Sequence, residues 1–133
     1  MMTTHDAELK IINALRDIVC QQQHDETQIA RYFSDEYQQQ VDGKCIDYKG
    51  FIAHMELLKK LTCSINVSVL AIAAKNNDVL THHRVYVEKK NGSRSVIDVL
   101  AHFTLRDNLI IRCEELTRQL EGDADDRDLG SRC

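Results

Sequence analysis

The chain has 133 residues, of which 43% are hydrophobic and 29% charged, a balance typical of one globular domain with its own core. The formal net charge is −4, and basic residues occur at most as isolated pairs, which disfavours nucleic-acid binding. No apolar run approaches the ~20 residues that a membrane-spanning helix needs. Residues 1–10 are polar, so we expect neither a membrane span nor a secretory signal.

Three helices are predicted before residue 62. Thr4 and the acids that follow it favour a helix start, and an apolar stripe continues through Leu9, Ile11, Ile12, Leu15, Ile18 and Val19. Asp25 or Thr27 can cap a short second helix, and Asp47 can cap a third over residues 48–61. His54 lies on the apolar face of this third helix, as a hydrogen-bonded core residue or as a base in a pocket wall.

The rest of the chain is rich in β-branched residues and predicts strands. A short polar strand is expected over residues 34–41, with Tyr37, Gln39 and Val41 on one face. Four longer strands follow over residues 64–74, 78–90, 94–106 and 109–117. Asn91-Gly92 predicts a type I′ hairpin turn between the second and third of them.

This order of elements predicts an α+β domain over residues 1–120, with three N-terminal helices against a curved antiparallel sheet. Residues 121–133 carry five acids and two arginines, and Leu129 is their one large apolar residue. A segment of this composition is either mobile or packed over another surface, and we expect mobility.

Five cysteines are scattered along the chain without a Cys-x-x-Cys pair, at positions 20, 45, 63, 113 and 133. An odd number without regular spacing favours reduced thiols, and reduced thiols favour a cytoplasmic protein. His82 and His83 are neighbours on a predicted strand, so their rings point to opposite faces and cannot share a metal ion. We therefore expect neither a metal nor another cofactor.

Several strings, in this order and spacing, resemble the nuclear transport factor 2-like superfamily, and its SnoaL-like (polyketide-cyclase-like) branch most of all. They are Phe33-Ser-Asp-Glu-Tyr37, Asp42-Gly43, Tyr48-Lys-Gly-Phe51 and Ala101-His-Phe-Thr-Leu-Arg-Asp-Asn-Leu-Ile110, and the resemblance covers residues 7–118. It implies a cystatin-like cone, in which a bent sheet wraps round the helices and encloses an apolar pocket. It implies no particular reaction, because the fold carries several enzyme activities and many binding modules.

The catalytic positions of two enzyme groups with this fold are not kept. The ketosteroid isomerases place an acid where this chain has Ala101, a base near Val41 and a tyrosine near Asp17. Alkyl groups can neither accept a proton nor donate a hydrogen bond to an enolate. The histidine expected in SnoaL-like cyclases is Gln40 here, and an amide does not titrate.

A third resemblance retains more polar groups. Limonene-type epoxide hydrolases carry an Arg-Val-Asp-Val string that resembles Arg84-Val-Tyr-Val87, and their last-strand acid falls near Glu115. The resemblance implies that Arg84, Tyr86 and Glu115 face the cavity, and strand alternation adds His82. Arg84 and Glu115 then form either a buried ion pair or a ligand anchor.

The predicted function is a binding or accessory module that holds a small, partly apolar ligand in the cone. The expected ligand-binding residues are Tyr37, Gln39, His54, His82, Arg84, Tyr86 and Glu115. The alternative is a cofactor-independent isomerase, cyclase or hydrolase, with His54 or Glu115 as base and Arg84 as stabiliser. These three residues are the catalytic candidates.

The opposite face of the sheet is expected to form a homodimer. Alternation places Thr81, His83, Val85 and Val87 on that face, and a partly apolar second face is commonly buried against another chain.

Overall fold

The computed structural model describes residues 3–126 and Leu129. The chain forms three α-helices, α1 (Thr4–Ala14), α2 (Glu26–Tyr32) and α3 (Tyr48–Leu61), and α1 continues as a π-helical turn, Leu15–Val19. Each α-helix begins at a side-chain cap, supplied by Thr3, Asp25 and Asp47 respectively. These caps satisfy backbone N–H groups that have no partner inside the helix. None of the helices in the described part of the chain is long and apolar enough to cross a membrane.

Six strands form one curved sheet, which confirms the α+β cone. They are β1 (Phe33–Val41), β2 (Lys44–Asp47), β3 (Thr62–Lys75), β4 (Asp78–Lys89), β5 (Arg94–Arg106) and β6 (Leu109–Glu121), in the order β2-β1-β6-β5-β4-β3. The sheet is mixed rather than wholly antiparallel, because β1 runs parallel to β6. The sequence did not reveal β2, a four-residue strand with no apolar alternation.

A turn joins β4 and β5 at Asn91-Gly92 as predicted, but the predicted type I′ geometry was wrong there. Asp107 and Asn108 both have positive φ, 52° and 66°, as a type I′ turn requires, whereas at Asn91-Gly92 only Gly92 does. Asn91 Oδ1 instead accepts a hydrogen bond from Ser93 N at 2.9 Å. That bond holds a longer loop with Asn91 in an ordinary conformation.

The helices fill the concave face of the sheet. Ala7 and Ile11 of α1 are fully buried, and the rings of Phe33, Tyr37 and Phe51 pack with centroids 4.7 to 4.9 Å apart. Burial of these apolar groups is the main stabilising contribution to the fold. The strands alternate accordingly, with one side chain towards the helices and the next towards the convex face.

The C-terminal segment differs from the expected mobile tail at two residues. Asp126 is fully buried and Leu129 is 2% exposed. The Asp126 carboxylate accepts hydrogen bonds from Lys89 Nζ at 2.9 Å and Ser95 Oγ at 2.7 Å. Composition alone could not show that one acid and one leucine of this segment would find partners on the sheet. Residues 127, 128 and 130–133 lie outside the described residues, and the domain boundary at residue 120 stays a prediction.

Candidate functional site

A cavity of about 110 Å³ lies between the concave face of the sheet and the helices. Most of its wall is aliphatic or aromatic, with side chains from α1, α3 and five of the six strands. The polar residues in the wall are Tyr37, Gln39, His54, His83, Glu115 and Thr117. Neither lysine nor arginine lines it among the residues that the structure describes. A mostly apolar cavity with a few inward-facing polar groups is the usual form of a small-molecule site.

The prediction of which face of β4 lines the cavity was off by one residue. His83, Val85 and Val87 line the cavity, so His82, Arg84 and Tyr86 point to the convex face. The placement of these last three in the pocket was therefore wrong. The apolar residues of β4 carried the correct signal, because Val79, Val85 and Val87 share one parity and the helix-covered face is the apolar one. The three-residue match to Arg-Val-Asp-Val was too short to outweigh that pattern.

On the convex face, Arg84 and His82 share a carboxylate on the neighbouring strand β5. His82 Nε2 lies 3.1 Å from Asp98 Oδ2, and Arg84 Nε donates to Asp98 Oδ1 at 3.1 Å. The hydrogen bond from His82 and then that from Arg84 lower the pKa of Asp98. The predicted pairing of Arg84 with Glu115 is thus absent, and Arg84 is excluded as a stabiliser inside the cavity.

Glu115 lies in the cavity wall on β6, and no cation among the described residues contributes to its pKa. Burial raises its pKa to about 7, and the negative charge of Asp42 adds to the rise. The Asp42 carboxylate itself is held by Thr117, whose backbone N–H donates to it at 2.8 Å and whose hydroxyl also donates. At neutral pH, Glu115 is therefore present in both its protonated and ionised forms, which allows it to donate or accept a proton.

Tyr37 and Gln39 face the cavity from β1 and bond to each other. The Tyr37 hydroxyl donates to Gln39 Oε1 at 2.8 Å. Burial raises the pKa of Tyr37 well above its usual value, and the acidic groups of Cys113 and Glu115 raise it further. Burial likewise raises the pKa of the Cys113 thiol, so this thiol is not activated as a nucleophile.

His83 is a cavity residue that the sequence reasoning had placed on the opposite face. Its Nδ1 lies 2.8 Å from the Thr81 hydroxyl, and it is only 2% exposed. Burial lowers its pKa to about 4 and the neighbouring His82 adds to that effect, although Asp98 opposes it. His83 is therefore neutral at pH 7 and presents an imidazole that can hydrogen-bond without carrying charge.

The strand register relates these groups to one another. Thr81, Ala101 and Glu115 form one row across β4, β5 and β6, and His83, Val99 and Thr117 form the next row. Glu115 and His83 are thus two strands and one row apart, or about 12 Å from backbone to backbone at ordinary strand spacing and rise.

His54 lies on the cavity side of α3 and is 3% exposed. This position is compatible with both predicted alternatives, a core histidine and a base, so its role stays a prediction. Among the described residues, no group of three or more His, Cys, Asp or Glu side chains could hold a metal ion. Cys20, Cys45, Cys63 and Cys113 are unpaired thiols.

No model of a known protein family matches the sequence. Uncharacterized protein C11D3.04c of Schizosaccharomyces pombe is 32% identical over 100 residues, which cover 75% of this chain and 77% of the yeast protein. A relative at this level over most of both chains shows common family membership.

Solved structures show the same fold at low identity. An LEH-like epoxide hydrolase of M. tuberculosis superposes with a TM-score of 0.72 at 17% identity, covering 96% of this chain and 90% of the other. A SnoaL-like protein of a Jannaschia species, proposed to be a polyketide cyclase, superposes with a TM-score of 0.67 at 14% identity. The superposition covers 84% of this chain and 85% of the other. An NTF2-like protein of unknown function from Cytophaga hutchinsonii gives 0.61 at 17% identity, covering 94% of each chain. The chain thus belongs to the family of C11D3.04c and has the nuclear transport factor 2-like fold that it shares with SnoaL-like proteins.

Proposed function

We propose that the chain binds a small, uncharged and partly apolar ligand in the cavity of the cone. The observation that carries this proposal is a mostly apolar wall that contains a partly protonated Glu115 and a neutral His83 but, among described residues, no cation. A carboxylate ligand would meet Glu115 in the wall without a compensating cation among the described residues. A hydroxyl or carbonyl group can instead bond to Glu115 or His83 while the apolar body contacts the wall.

Phenol and benzoate provide a matched test, because they have similar apolar bodies and differ in charge. We expect titration calorimetry or ligand-observed NMR at pH 7.5 to detect phenol binding and no benzoate binding. Val85→Phe fills the cavity and abolishes phenol binding, whereas Tyr86→Phe, on the opposite face of the same strand, leaves it intact. Preferential binding of benzoate would contradict the proposed absence of a cation in the site.

An acid–base enzyme is a second candidate, because a pKa of about 7 suits Glu115 to proton transfer. The epoxide hydrolase with the same fold makes hydrolysis one reaction to test. We expect Glu115→Gln to abolish turnover of a small epoxide while leaving ligand binding within a fewfold of wild type. Activity that survives this substitution removes Glu115 as the catalytic group and leaves His54 as the remaining candidate.

We further propose that a second copy of the chain covers the convex face of the sheet. Leu80, Leu100 and Leu116 are 55%, 55% and 67% exposed on β4, β5 and β6, and Leu100 lies directly opposite Leu116. The Arg84–Asp98 ion pair and the hydrogen-bonded His102–Asp78 pair flank this leucine patch. Two copies can therefore meet about a two-fold axis with opposite charges facing each other.

Light scattering after size exclusion tests the dimer. Leu116→Glu places a charge in the leucine patch and is expected to shift the chain to monomer. Leu9→Glu, at a residue on α1 that is also exposed, leaves the dimer unchanged. Val85, which the sequence placed in this interface, lies in the cavity wall and no longer serves as a test. A monomeric wild-type chain would contradict the proposal.

A further inference from the structure

Leu129 occupies part of the space that a ligand would use. It is 2% exposed, it belongs to the core cluster, and its side chain forms part of the cavity wall. Every other residue in that wall comes from α1, its π-helical continuation, α3 or the sheet. Of the residues that the structure describes, Leu129 alone reaches the wall from beyond the last strand.

The segment before Leu129 is fastened to the sheet by polar contacts. Asp126 is fully buried and accepts hydrogen bonds from Lys89 and Ser95, and Leu129 N donates to Asp126 O at 3.1 Å. Ser95 is 1% exposed, so this carboxylate enters a site that is closed to solvent. A buried carboxylate that is paired and hydrogen-bonded fixes the backbone position strongly.

Gly122 allows the backbone after β6 to pass close to Ser95 of β5. Gly122 has φ of +126°, and a Cβ built on it would lie 2.4 Å from Ser95 Oγ. A side chain at this position would therefore collide with the serine that bonds Asp126. The backbone after β6 is thus adapted to lie close to β5.

The size of the cavity indicates what Leu129 does there. The free volume of about 110 Å³ is below the ~300–1,000 Å³ that ligand pockets commonly have. Among the described residues of the wall, only Leu129 lies outside a helix or strand, so its side chain could leave the wall without unfolding one. Its departure would enlarge a cavity whose wall is mostly apolar.

We infer that Leu129 is an internal occupant of the apolar subsite, and that the ligand binds by displacing its isobutyl group. This inference rests on the proposed ligand-binding function and specifies the ligand further. The displaced group defines the class, an uncharged molecule with a short branched or cyclic alkyl end and a hydroxyl or carbonyl head for Glu115 or His83. The apparent affinity for the ligand is lowered when Leu129 fills the site in most molecules, because only the remaining molecules can bind the ligand.

The probe is 4-methyl-1-pentanol, which carries the same branched alkyl end as leucine. Leu129→Ala is expected to bind it about tenfold more tightly than wild type, since the competing side chain is gone. Asp126→Asn, which weakens the anchor and keeps Leu129, gives a smaller increase. Leu120→Ala, at a 39% exposed leucine of β6, is the matched control and leaves the affinity unchanged.

Methyl-labelled leucine spectra of the wild type test displacement without a substitution. On saturation with the alcohol, the Leu129 methyl resonances are expected to move to solvent-exposed positions. If they stay at their buried positions while those of Leu58 shift, or if Leu129→Ala binds no more tightly than wild type, the internal-occupant inference is overturned and the binding proposal stands. If neither wild type nor Leu129→Ala binds the alcohol or phenol, both proposals are overturned.

Discussion

The pKa values of two carboxyl groups, one on each face of the sheet, are shifted in opposite directions. Asp98 on the convex face of β5 contacts His82 and Arg84, and its pKa is lowered. Glu115 on the concave face of β6 has no cation beside it in the part of the chain that the structure describes, and burial together with the charge of Asp42 raises its pKa to about 7. The direction of each pKa shift follows from the face on which the carboxyl group lies, because the helices cover one face of the sheet and leave the other open to solvent.

The same division underlies the two different tasks that we propose for the two faces. The convex face places its ion pairs and exposed leucines where another chain can contact them. The concave face holds neutral or partly protonated groups that can bond to an uncharged ligand. A shift of one residue along β4 would place Arg84 in the cavity instead of His83, and an anionic ligand would then be preferred to an uncharged one.

The largest expected effect is the difference in stability between two variants that each add an aspartate to β4, one on the concave face and one on the convex face. Val87→Asp buries an unpaired carboxylate at a position that is 4% exposed and should cost about 3–5 kcal/mol of unfolding free energy. Tyr86→Asp adds the same group at a 42% exposed position and should cost only about 0.5 kcal/mol. Urea titrations measure both, and equal losses would contradict the assignment of the two faces.

The second effect comes from the ionisation of Glu115. Its pKa rises from 4.5 to about 7 on folding, so between these pH values the folded state holds the proton more tightly than the unfolded state. Wild-type stability should therefore fall by up to about 3 kcal/mol as the pH rises from 4.5 to 7. Glu115→Gln removes this loss and should be more stable than wild type above pH 7, with little difference below pH 4.5.

The control for that experiment is Glu114→Gln, which changes an exposed neighbour that bonds to Arg112. It should show the wild-type dependence on pH, because Glu115 is still present. If Glu115→Gln retains the slope between pH 4.5 and 7, the burial assigned to this carboxyl is wrong. Thermal or urea unfolding across the pH range gives both curves.

The elements of the fold were largely predictable because their signals are local. The cap at Asp47 and the apolar face of α3 predicted Tyr48–Leu61 with both boundaries correct. Strand β5 was predicted over its whole length, since β-branched residues alternate along it. The parallel pairing of β1 with β6 was not predictable in this way, because it joins segments that are distant in the sequence.

The site was harder to predict because it depends on which face of a strand each residue occupies and on contacts between residues that are far apart in the sequence. Tyr37, Gln39, His54 and Glu115 were placed in the cavity wall, where the structure has them, and their roles in binding stay predictions. His83 was misplaced because a short resemblance was given more weight than the valines of β4. The burial of Asp126 depends on its hydrogen bonds with Lys89 and Ser95. These residues are distant in the sequence, so no local sequence pattern predicts the contact.

The smallest effect is expected at Asp98. Its pKa is lowered on folding, so its contribution to stability is present at neutral pH and is lost as the pH falls through the lowered value. Asp98→Asn should therefore lower the thermal midpoint slightly at pH 7 and not at low pH, and salt should reduce the difference because the group is partly open to solvent. Arg84→Met should give a similarly small loss and leave phenol binding unchanged. A large loss of stability, or a loss of phenol binding, in Arg84→Met would place this arginine in the cavity and contradict the comparison of the two faces.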